Sequence, residues 1–71
     1  MYEDLDMTIT ALARGAVELH TTGRLDEQNA AQHMLDSLKQ ARRAIDLGAP
    51  IDAILHMDAA WNTYVQVGVT R

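Results

Sequence analysis

The sequence predicts an all-α fold: a small three-helix bundle, in which an antiparallel helical hairpin carries a third helix and oligomerisation completes the core. Apolar residues recur at alternating spacings of three and four, the mark of a helix with one buried stripe. Two breaks, at Gly23 and at Gly48-Ala49-Pro50, divide the 71 residues into three segments. That length suits a single domain spanning residues 1–71.

The first segment carries Leu5, Ile9, Leu12, Ala16 and Leu19 on one narrow seam, with acidic residues in its first turn where the helix dipole favours them. Gly23 suits a C′ position with positive φ, so helix 1 is expected from about Glu3 to Thr21. Asp26 is the expected N-cap of helix 2, with Leu25 placed to staple onto Ala30. Ala31, Met34, Leu38, Ala41 and Ile45 form its seam, and Leu35 widens it. Gly48 ends it, giving about Asp26 to Leu47. Pro50 suits the first position of helix 3. Ile51, Ile54, Leu55, Met57, Trp61, Tyr64 and Val65 give that helix a broad apolar face. Its β-branched tail is expected to fray after about residue 66.

Ten acidic residues stand against six basic ones, for a net charge of −4. An acidic chain is poorly suited to phosphate backbones, which supply most nucleic-acid affinity. Helix 3 carries no Lys or Arg, which argues against its use as a DNA-reading helix. Lys39, Arg42 and Arg43 form the main basic cluster. An antiparallel hairpin brings them near Glu3, Asp4 and Asp6, so internal pairing accounts for them before any anion or partner contact does.

No cysteine is present, which excludes disulfides and thiolate chemistry. His20, His33 and His56 lack the Glu-x-x-His spacing of a di-metal bundle, because Ala30 and Ala53 stand where the glutamates would be. No metal or cofactor is therefore expected. Ser37 and the threonines have no His/acid partner pattern, and the isolated glycines do not form a phosphate loop, so no catalytic residues are assigned. No apolar run approaches a membrane span, and the acidic N-terminus is unlike a signal peptide, so a cytoplasmic location is expected.

The stretch Thr22-Gly23-Arg24-Leu25-Asp26-Glu27 resembles the inter-helix turn of a tetratricopeptide repeat. Gln28 stands where that repeat places a small residue, helix 2 is longer than the repeat allows and there is no second copy, so no family is assigned.

The informative surface is the aromatic-bearing face of helix 3. Ile54, Met57, Trp61 and Tyr64 are the expected interface residues, whether they form core, self-interface or partner interface. The expected function is non-enzymatic protein binding by a homo-oligomer, as a small adaptor, inhibitor or regulatory accessory protein of a bacterium or phage. One alternative is a small or anionic ligand held between subunits by Arg42 and Arg43. Another is a nucleic-acid-binding regulator using the same cluster.

Overall fold

The computed structural model describes the backbone of residues 3–70 and the side chains of residues 5–68. Three helices make up the fold, α1 (Glu3–Thr22), α2 (Leu25–Asp46) and α3 (Pro50–Thr70), with no strand among the described residues. α1 and α3 both lie along α2, and they touch one another far less than either touches it. The side chain of Arg42, near the end of α2, bonds that of Asp6 near the start of α1, which fixes the antiparallel sense of the hairpin. Glu3 and Asp4, expected to share in that pairing, have side chains outside the described residues.

The first turn departs from the expected capping. Asp26 is not the N-cap: α2 begins a residue earlier, with extended Arg24 at the cap. Glu27 supplies the capping carboxylate, its Oε1 accepting from the Arg24 N–H at 3.4 Å. This is the N3 half of a capping box, so the acid that matters is one residue further on than the sequence suggests. Leu25 is 74% exposed and does not staple onto Ala30. Gly23 is also used differently from its expected role. Its φ is not positive, and its N–H continues α1 by bonding the Leu19 carbonyl at 2.8 Å. Glycine is required there by space, since a Cβ would stand 2.4 Å from that carbonyl oxygen and 2.7 Å from the Glu27 Cβ.

The second turn follows its sequence signals. Gly48 takes φ +76°. Its N–H bonds the Ile45 carbonyl at 3.0 Å and the Ala49 N–H bonds the Ala44 carbonyl at 2.8 Å. These paired bonds form a Schellman motif, closed by packing of Ala49 against the core.

Among the described residues eleven are buried: Ile9, Ala16 and Leu19 on α1, Ala31, Met34, Leu38, Ala41 and Ala44 on α2, and Ala53, Met57 and Ala60 on α3. The α1 and α2 seams follow the expected pattern, except that Leu5, Leu12 and Ile45 are only half-buried and Ala44 is buried in addition. α3 is rotated from expectation. Its buried stripe is Ala53-Met57-Ala60, while Ile51 and Leu55 face outward. Alanines let helix axes approach closely, because the interaxial distance is set by the side chains at the contact. α3 also runs beyond residue 66 to Thr70. Val67 packs on the core there, and tertiary contact overrides the weak helix propensity of a β-branched tail.

Candidate functional site: the groove between α1 and α3

Because α1 and α3 both lean on α2, an open groove runs between them. The two helices are parallel. Gly15 lies level with Tyr64, and Leu5 and Leu12 share the groove with Ile54 and Trp61. At one end the groove is closed by the Tyr64 ring, whose Cε2 would lie 3.2 Å from a Cβ on Gly15. Nearer the start of the helices it opens into an apolar trough of about 670 Å³.

Both walls are mainly apolar: α1 contributes Leu5, Met7 and Leu12 with Thr8 and Ala11 between them, and α3 contributes Ile54, Met57 and Trp61. Asp58 is the one charged side chain among the described residues lining the trough. Trp61 stacks on Tyr64 with ring centroids 6.1 Å apart and planes 13° apart, yet it remains 53% exposed. Of the four expected interface residues, Met57 belongs to the core, Ile54 is half-buried, and Trp61 and Tyr64 are exposed. Ile54, Met57 and Trp61 line the trough, while Tyr64 borders its closed end.

The basic cluster is exposed on α2, and it is not drawn into one site. Arg42 is engaged by Asp6, and Lys39 and Arg43 have no ion-pair partner among the described residues. Among those residues, no three His, Asp or Glu side chains gather in a way that could hold a metal ion. No helix is long and apolar enough to cross a membrane among the described residues. Threonines that stand inside the helices spend their hydroxyls locally: Thr10 bonds the Asp6 carbonyl at 2.8 Å and Thr63 the Ala59 carbonyl at 3.0 Å. The lining of the trough offers hydrophobic area, the Thr8 side chain and the Asp58 carboxylate.

Comparison with known protein families, curated proteins and solved structures gives no match to this chain.

The sequence singled out Ile54, Met57, Trp61 and Tyr64 and placed Leu5 and Leu12 on the helix 1 seam, but not Met7, Thr8 and Ala11 on the wall that faces them. Thr8 and Ala11 lie off the Leu5-Ile9-Leu12 seam, and they carry a signal only once α1 and α3 are known to run parallel side by side.

Proposed function

We propose that this chain is a non-enzymatic protein-binding module whose α1–α3 groove seats a helix of another polypeptide. A small adaptor, inhibitor or regulatory accessory protein of a bacterium or phage, working in the cytoplasm, would act in this way. The observation that carries the reading is the trough itself: an apolar channel between two parallel helices, with a half-exposed tryptophan on its wall. Grooves of this shape accept amphipathic helices through apolar anchors at helical spacing, and tryptophan is among the residues most enriched at binding hot spots. The basic edge of α2 is a weaker candidate, because Arg42 is already committed to Asp6.

The test is selection of helices on the folded protein from a displayed library with a fixed apolar stripe and randomised flanks. Selected helices should bind, and Trp61→Ala should weaken binding about tenfold or more. Selection that survives Trp61→Ala unchanged but is lost on Arg43→Ala would move the site to the basic edge.

A further inference from the structure

We infer that the helix seated in the groove belongs to a different polypeptide and carries a lysine or arginine within its apolar stripe, where it pairs with Asp58. The inference rests on the reading of the groove as a protein-binding surface and names the chemistry of the partner.

The outward side of α3 is itself a seam. Ile51, Ile54, Asp58, Trp61 and Val65 follow one another at alternating spacings of three and four, the heptad pattern along which helices meet. This stripe is separate from the Ala53-Met57-Ala60 stripe that packs on α2. Ile51, Trp61 and Val65 are exposed and Ile54 is half-buried, so the chain itself leaves the seam largely uncovered. Leu5, Met7 and Leu12 of α1 continue the apolar surface across the trough.

Asp58 stands at the centre of that seam. Its neighbours one turn away on the helix surface are Ile54 and Leu55 before it and Trp61 and Asn62 after it, three of the four being apolar. The carboxylate is exposed, with no ion-pair or hydrogen-bond partner among the described residues. α3 supplies no Lys or Arg to pair with it, and none lines the α1 side of the trough. Past Tyr64 the groove is lined by Glu18, a second carboxylate, and again by no cation among the described residues.

A helix that covers this seam takes Asp58 out of water. A carboxylate covered without a partner costs free energy, and a cation set against it offsets that cost. A lysine or arginine within the partner's stripe meets the need, because its stem lies along apolar surface while its charged head reaches the carboxylate. A copy of this chain cannot supply that cation through the same seam. Asp58 is the midpoint of the stretch 51–65, so parallel in-register pairing and antiparallel pairing both set it against itself. Like charges directly opposed across an interface reject that partner. The net charge of −4 acts in the same sense at longer range, favouring encounter with a basic segment.

The test selects helices on the intact chain from a displayed library whose apolar stripe admits charged residues at every position. Selected helices should carry Lys or Arg at one position of the stripe, and exchanging it for Glu should weaken binding about tenfold or more, read by anisotropy of a labelled peptide. On the Asp58→Lys chain the preference should reverse, the Glu peptide binding more tightly than its Lys or Arg parent. Asp58 is exposed, so this variant keeps the fold, which circular dichroism verifies. Selected helices without Lys or Arg in the stripe overturn the inference, as does a charge preference that Asp58→Lys leaves unchanged. If such helices still lose affinity on Trp61→Ala, the groove reading stands and only the cation is lost. Failure to select any helix removes both. A chain that shows twice its own mass in light scattering, and a single mass on Trp61→Ala, overturns the inference in favour of a second copy.

Discussion

α3 meets its two neighbours in contrasting ways. Towards α2 it presents Ala53, Met57 and Ala60, and the buried residues of α2 are themselves mostly small, with Met34 and Leu38 as the large exceptions. The backbones of α2 and α3 approach closely along this seam. Towards α1 the same helix presents Ile54 and Trp61, which line an open trough together with Leu5, Met7 and Leu12 of α1. A close-packed seam derives its strength from small residues that leave no space, whereas large residues on both walls hold the parallel helices apart and keep a groove open. The larger side chains of α3 are thus the less buried ones.

This contrast can be broken by changing volume on either side. Met34 is fully buried, so Met34→Ala should cost about 2–5 kcal/mol. In a domain of this size that loss should appear as a marked fall in the urea midpoint, and a midpoint within error of the parent would mean that the seam is not the closed interface described. Enlarging an alanine sharpens the comparison further. Ala60→Leu, in the seam, should cost about 1–3 kcal/mol through overpacking. Ala11→Leu, on the open wall, should stay within about 0.5 kcal/mol. Thermal melts of the two variants at a concentration where the protein is a single chain decide the matter, and equal effects would erase the distinction. The smallest effect lies outside both regions. Asp6 and Arg42 form an exposed pair, so Asp6→Asn should cost no more than ~1 kcal/mol and the difference should shrink as salt is added. A loss that salt leaves unchanged would point to something other than charge.

Helix number, the Gly48 stop and the hairpin orientation were legible in the sequence because each rests on local chemistry: a periodic seam, a residue tolerant of positive φ, and opposite charges at the ends that topology brings together. The rotation of α3 was not. Ile51, Leu55 and Trp61 outweigh Ala53 and Ala60 on any hydrophobicity scale, yet burial in a tight seam selects for size, and alanine fits where isoleucine does not. The end of α3 was misplaced because the Val67 contact that holds it is non-local. Gly23 shows a further limit: the sequence marks it as a turn residue for its freedom, whereas the fold needs it for the missing Cβ beside the Leu19 carbonyl. Ile54 and Trp61 could be named as candidates from one helix alone, but the trough they line depends on Ala11, 50 residues before Trp61 and brought beside it only by the passage through α2.

Trp61 is the only tryptophan in the chain, and it stands half-exposed on the groove wall against Tyr64. The protein therefore carries its own optical label at the place of interest. Indole emission excited at the red edge originates from this one position, and any polypeptide that displaces water from the wall shifts that emission to shorter wavelength. Unfolding brings the Trp61 ring fully into water and shifts the emission to longer wavelength. One unmodified residue thus distinguishes occupation of the groove from loss of the fold by two different spectral changes.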